Sequence, residues 1–241
     1  MLVTKSISKF FDGFKALDRV CIAVEPNKLT LIVGPNGSGK TTLINIITGF
    51  YRADEGHVLF NGEEITNKPP HEIYTCGIVR TFQIPKPLKK LSVLENLLIA
   101  VDNPGERLRG CIGRSWEQRE GEIVDKAFKL LDFLELSELW DLEAWKLSGG
   151  QLKLLEAGRA LMADAKLIIM DEPMMGVNPT LASSILDKFM ALKTYTTFLI
   201  IEHRFEIISR YVDTVYVMVN GRTAEEGSEE FKEVIRMLCF E

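Results

Sequence analysis

The chain has 241 residues, 46% of them apolar, with 29 Lys plus Arg against 34 Asp plus Glu and a formal net charge of −5. That length suits one domain, or a core carrying a grafted subdomain, and the acidic balance argues against a dedicated nucleic-acid binder, which needs a basic stripe. No apolar run approaches the ~20 residues that span a bilayer, Met1 to Phe11 lacks the long apolar segment of a signal peptide, and Cys21, Cys76, Cys111 and Cys239 lack metal-ligand spacing, so reduced thiols in a cytosolic protein are expected. In chain order, Leu29 to Val33 is a short apolar run that reads as a buried strand entering a loop at Gly34. Lys40 to Thr48 reads as a helix closed by Gly49. His57 to Phe60 followed by Asn61-Gly62 predicts a strand and a tight hairpin, because Asn-Gly tolerates positive φ. Ser92 and Glu95 have capping-box spacing and predict a helix to about Val101, followed by a loop over Asp102 to Gly113. A second helix starts near Ser115, with Ile123, Ala127, Leu130, Leu131 and Leu134 at helical spacing. Roughly residues 88 to 150 thus form a helical insert between strand-rich parts, 1–87 and 151–241. Beyond it, Lys166 to Met170 and Thr197 to Ile201 read as buried strands separated by a helix from Pro179 to about Lys193, an alternation that implies a parallel sheet. Thr214 to Val219 before Asn220-Gly221 repeats the hairpin signature.

Two motifs carry chemistry on their own residues. Gly34-Pro35-Asn36-Gly37-Ser38-Gly39-Lys40-Thr41 fits the phosphate-binding loop pattern G-x-x-x-x-G-K-[ST], with Thr42 next to it in the same nucleotide-binding set. Polyphosphate is highly charged, and backbone N–H groups at a helix N-terminus surround it without side-chain bulk. Lys40 is expected to reach the β- and γ-phosphates of ATP, and the Thr41 hydroxyl to ligate Mg2+. Leu167-Ile168-Ile169-Met170-Asp171-Glu172 is an apolar strand ending in two carboxylates. Alone this is a weak signal. Beside the phosphate loop it reads as a Walker B motif, in which Asp171 holds Mg2+ and Glu172 orients or deprotonates the attacking water.

Between these motifs stands Leu147-Ser148-Gly149-Gly150-Gln151, just before a helix expected over Leu152 to Met162. With it the chain resembles the ABC ATPases over nearly its whole length, and the motifs fall in that family's order. The resemblance implies an α/β fold, with a P-loop NTPase (RecA-like) core, an N-terminal antiparallel β subdomain and an inserted α-helical subdomain. It further implies that two nucleotide-binding domains meet head to tail. Ser148, Gly149, Gly150 and Gln151 of one would then face the γ-phosphate held by the other, by the same helix-terminus physics as the phosphate loop. Three more positions match family motifs. Gln83 falls where the Q-loop glutamine senses Mg2+ and the attacking water, His203 where the switch histidine bonds the γ-phosphate, and Phe11 where an aromatic ring stacks on adenine. One position departs. Many family members carry Asp where Asn178 stands, and Asn178-Pro179 suits a helix N-cap and first turn. Losing the carboxylate puts ionic coupling through this loop in doubt.

The stretch Arg80-Thr81-Phe82-Gln83-Ile84-Pro85-Lys86-Pro87-Leu88 with Leu91 to Asn96, the Gly176-Val177-Asn178-Pro179 loop and Ile201-Glu202-His203-Arg204 are similar to the ATP-binding subunit of branched-chain amino-acid importers. Related urea and amide importers share such sequences. The resemblance implies ATP hydrolysis that powers separate membrane permease subunits, a second ATPase subunit of the same or another sequence, an indirect solute-binding protein, no nucleic acid, and a peripheral place on the inner face of the cell membrane. Residues Ile84 to Leu88 are expected to line the permease groove, or else to form a rigid Pro-rich connector. The competing classes are a soluble ABC ATPase of a non-transport assembly complex, and a small-molecule P-loop kinase, which has no use for Leu147 to Gln151.

Overall fold

The N-terminal residues pair as an antiparallel sheet whose inward side chains alternate. In the computed structural model, which describes residues 1–81, 86–101, 115–224 and 227–240, this sheet has the order β2-β1-β4-β5. Its strands are β1 (Leu2–Phe11), β2 (Phe14–Val24), β4 (Glu55–Phe60) and β5 (Glu63–Glu64). Asp12 and Gly13 close the first hairpin at positive φ, and Asn61 and Gly62 close β4 onto β5, as the Asn-Gly pair predicts. A six-stranded sheet follows in the order β10-β9-β3-β8-β7-β6. It consists of β3 (Leu29–Val33), β6 (Ile78–Thr81), β7 (Leu167–Asp171), β8 (Thr197–Ile201), β9 (Thr214–Val219) and β10 (Arg222–Ala224). All its pairings are parallel except the β9–β10 hairpin at Asn220-Gly221. Every residue of β3, β7 and β8 is buried, which is why these strands read as continuous apolar runs rather than alternating ones.

The chain divides into two compact units. The first comprises residues 1–83 and 166–241, the second residues 84–165. In the first, helix α1 (Lys40–Ile47) lies between the sheets. Its Leu43, Ile44 and Ile47 share one core with Leu2, Val20 and Phe60 of the antiparallel sheet and with Ile32, Ile169 and Leu199 of the parallel one. Burying side chains of this size stabilises by about 1.5–3 kcal/mol each, so the core fixes the start of α1, and with it the loop ahead of it. The same unit carries α2 (Pro70–Thr75), α6 (Pro179–Leu192), α7 (Phe205–Ile208) and α8 (Glu229–Phe240).

Asp18 joins β2 to β10. Its carboxylate accepts from Arg222 Nε at 2.7 Å and pairs with Lys15. Those bonds to Lys15 first, then Arg222, lower its pKa from 3.8 to about 2. A carboxylate whose folded pKa is depressed stabilises above the unfolded value and loses that contribution as pH falls toward the folded one. Asp18→Asn should therefore flatten the fall in melting temperature between about pH 4 and pH 2. A melting curve series that keeps its native slope in this window would count against the pair.

The second unit is helical. Among its described residues are α3 (Val93–Leu98), α4 (Ser115–Phe133) and α5 (Gly149–Met162). Ser92 and Glu95 form the expected capping box on α3. The helix stops three residues short of Val101, because Ala100 and Val101 donate to Leu97 and Leu98 and tighten the last turn. The loop expected at Asp102 to Gly113 lies outside the described residues. Whereas the sequence pattern ends the helical insert near residue 150, the compact helical unit spans residues 84–165 and includes all of α5. That helix packs on α3 and α4, with Gly158 so close that a Cβ there would stand 2.8 Å from Leu134 and 3.0 Å from Leu97.

Candidate functional site

Residues 34 to 39 leave β3 and feed α1 through a loop in which two positions, Gly34 and Gly39, have no room for a side chain. A Cβ on Gly34 would lie 2.1 Å from the Met218 carbonyl, and one on Gly39 would lie 2.7 Å from Leu17. Both glycines adopt positive φ. The loop is closed by Ser38 N–H donating to Pro35 O and by Gly221 N–H donating to Ser38 O. Lys40 begins α1 and is 5% exposed. Its ammonium folds back on the loop, donating to Gly34 O at 2.7 Å, Pro35 O at 2.9 Å and Ser38 Oγ at 3.3 Å. Burial lowers the pKa of Lys40, and the nearby charges of Glu172 and Asp171 act in the opposite direction.

A cleft of about 330 Å³ brings most of the expected residues together. Its walls are Asn36 to Thr42, Glu172, His203, Phe11, Phe14 and Ala16. Glu172 reaches it through an uncommon backbone. The residue sits at φ 49, with its N–H donating to Ile201 O at 2.9 Å. A non-glycine residue held in the left-handed region just past a buried strand marks a position whose geometry the surroundings over-determine. The Glu172 carboxylate lies 2.9 Å from His203 Nε2, with both side chains partly open to the cleft. Phe11 and Phe14 pair across the Asp12-Gly13 turn, and the Phe11 ring meets Tyr51 edge-on at 5.4 Å. Sequence reasoning did not single out Phe14 or Ala16. The Asp12-Gly13 pair between two aromatics is the signal that could have found Phe14.

Asp171 is 8% exposed at the end of β7 and pairs with Arg80 Nη2 at 3.0 Å. Arg80 also bonds Asn45 of α1. A buried carboxylate needs such a partner, because an unpaired charge there costs several kcal/mol. This Arg80–Asn45–Asp171 link was missed, since no local pattern connects residues 45, 80 and 171. Gln83 lies outside the described residues.

The remaining expected residues belong to the second unit. Ser148 caps α5 by accepting from Gln151 N–H, while Gln151 Oε1 accepts from Ser148 N–H at 2.9 Å. Ser148 and Gly149 are exposed, while Gly150 behind them is buried. Two buried side chains fix another stretch of this unit. Glu156 accepts from Lys86 N–H at 2.9 Å, and Asn96 bonds both Leu88 N–H and Leu88 O. Burial raises the Glu156 pKa, opposed by the Lys86 N–H and by Arg159 and Lys153. The side chains of Lys86, Leu88, Lys89 and Lys90 are left exposed.

Against known proteins, the profile of the family described as "ABC transporter" matches residues 17–175. The chain belongs to the ABC transporter family. Two ABC relatives resemble it over nearly their whole length. A protein of Archaeoglobus fulgidus named "Probable branched-chain amino acid transport ATP-binding protein LivG" is 61% identical over 95% of this chain and 90% of its own. One of the same name from Methanocaldococcus jannaschii is 55% identical over 98% of this chain and 93% of its own. Among solved ABC structures, a nucleotide-free ATP-binding cassette from an ABC transporter superposes with a TM-score of 0.82 at 54% identity, covering 98% of this chain and 95% of that one. The ADP conformation of an ABC transporter cassette gives 0.83 at 50% identity, covering 100% and 99%. The α/β fold with a P-loop NTPase core is thus that of the ABC cassettes. Among the described residues, no helix is long and apolar enough to cross a membrane.

Proposed function

We propose that this chain is the ATP-binding and ATP-hydrolysing subunit of an ABC importer for branched-chain amino acids. The carrying observation is a cleft in which a phosphate loop, its lysine and a Glu172–His203 pair converge. A binding module needs the loop alone. A carboxylate aimed over the loop, beside an imidazole, adds the base that hydrolysis requires. The transport role and the solute rest on the names of the two relatives at 61% and 55% identity, which favour branched-chain amino acids over urea, amides or a soluble assembly complex.

In this reading the loop N–H groups and the N-terminus of α1 surround the β-phosphate. The Lys40 ammonium exchanges Gly34 O and Pro35 O for phosphate oxygens. Phe11 stacks on adenine. Glu172 takes a proton from the attacking water, and His203 bonds the γ-phosphate. The Thr41 side chain in the cleft wall and the Asp171 carboxylate, once it exchanges its Arg80 partner, supply oxygens of the kind Mg2+ takes from one or two protein groups alongside substrate phosphates. Thr41, Asp171 and Gln83 would hold this ion, which would neutralise phosphate charge. Ser148, Gly149, Gly150 and Gln151 serve the γ-phosphate of a second ATPase subunit, the same or a different chain. Differential affinity of the open and closed pairs for ATP drives the separate permease, and the solute-binding protein acts only through that permease. The chain then sits peripherally on the inner face of the membrane. Leu88 with Lys86, Lys89 and Lys90, on a backbone fixed by Asn96 and Glu156, forms the permease-facing segment.

The test is co-purification from native membranes with a tagged Glu172→Gln chain and ATP. An integral membrane permease together with a nucleotide-binding chain is expected. A soluble scaffold without a membrane protein would overturn the importer reading. Lys86→Glu combined with Leu88→Asp should lower permease-stimulated ATPase by at least about fivefold, as loss of one central contact does, while ATP binding is spared. Unchanged stimulation would remove this segment from the interface.

A further inference from the structure

Asn178 stands where a carboxylate would allow an ionic link through the loop after Walker B, and its side chain is already engaged. Asn178 Oδ1 accepts from Leu181 N–H at 2.9 Å and caps α6. The loop before it is nonetheless tied, from the other side. Met175 N–H donates to Glu172 O and Val177 N–H to Met174 O, folding residues 172–177 into a tight double turn. Met174 and Val177 are buried anchors, while Met175 is 44% exposed and Gly176 adopts φ 72 at the tip. Arg204 Nη1 donates to Val177 O at 2.8 Å, and stands 3.5 Å from Met174 O. One cation thus holds the carbonyls on both sides of the exposed tip. The residue that carries it is the direct neighbour of His203, whose ring meets Glu172, the residue at which the loop begins.

We infer that Arg204 is a positioning residue that fastens the exposed Met175–Gly176 turn to the His203 segment, so that the turn answers to whether ATP occupies the cleft. The inference rests on the ATPase reading above. It replaces the missing carboxylate with a charge-assisted bond to backbone, which needs no acidic partner. A movement of His203 toward the γ-phosphate shifts the Arg204 backbone and with it the donor that fixes Val177 O.

Hydrogen exchange on the full chain, with and without ATP and Mg2+, tests this. In the native protein ATP should slow exchange at residues 34–42 and also at the Met175 and Val177 amides. In Arg204→Met those two amides should exchange about tenfold faster, the effect of losing a hydrogen bond to a charged group, and ATP should no longer slow them. Protection of 34–42 by ATP should stay native. Arg204→Lys keeps a charged donor and should restore the ATP response, which a purely structural filling role would not require. ATP-dependent slowing of the turn that survives in Arg204→Met overturns the inference. Absence of ATP protection at 34–42 in the native chain would instead overturn the ATPase reading, and this inference with it.

Discussion

Replacing Glu172 by Gln should lower ATP turnover by about 10²- to 10⁴-fold, the contribution of a positioned general base, and leave ATP bound. Gln has the same size, and its amide oxygen still accepts from His203 across the 2.9 Å gap that the carboxylate spans. The backbone at φ 49, with its N–H on Ile201 O, is unchanged by the substitution. What disappears is the capacity to take a proton. ATP-bound chains should then accumulate as dimers, because the step that reopens them is blocked. Phosphate release measured alongside retained nucleotide distinguishes this from a folding defect. A turnover within threefold or so of native would assign Glu172 to orienting water, since an amide can still orient but cannot deprotonate.

Lys40→Met should weaken ATP binding by roughly 10- to 100-fold, the worth of a hydrogen bond to a charged group at 1.4 kcal/mol per tenfold. Met preserves the buried stem and removes the ammonium that bonds Gly34 O, Pro35 O and Ser38 Oγ. The specificity of the loss is the sharper prediction. AMP has no β- or γ-phosphate and should bind the variant as it binds the native chain. Titration with fluorescent ATP and AMP analogues reads both. An equal loss for the two nucleotides would mean that Lys40 supports the loop and not the phosphates.

Local chemistry was legible and distant pairing was not. The phosphate loop, the Asp171-Glu172 strand end and the Ser92 capping box each lie within a dozen residues, where backbone demands dictate residue type. The fully buried strands β3, β7 and β8 announced themselves as apolar runs for the same reason. Strands β1 and β2 were harder, because Ser6 and Arg19 adopt positive φ and the register slips between Thr4 and Phe10, which breaks the period of two. Strand β6 was hidden by its length and by the polar Arg80 and Thr81. Arg80 matters through Asp171, 91 positions away, and Arg204 through two carbonyls some thirty residues earlier. A sequence states which side chain is present at such sites and says nothing of the atom that it will meet. The placement of α5 with the helical unit was equally unreadable, being decided by the close approach at Gly158.

The pairing order of the parallel sheet has a consequence for synthesis. Strand β3 carries the phosphate loop and lies between β8 and β9, yet β8 begins only at Thr197 and β9 at Thr214. At roughly 5–20 residues per second, a ribosome needs on the order of ten to thirty seconds to deliver the first of those partners after β3 has emerged. For that interval Leu29 to Val33 has no lateral neighbour in its own sheet. Its apolar edge is open to chaperones and to other nascent chains, and the nucleotide cleft can take shape only when the last fifth of the polypeptide arrives.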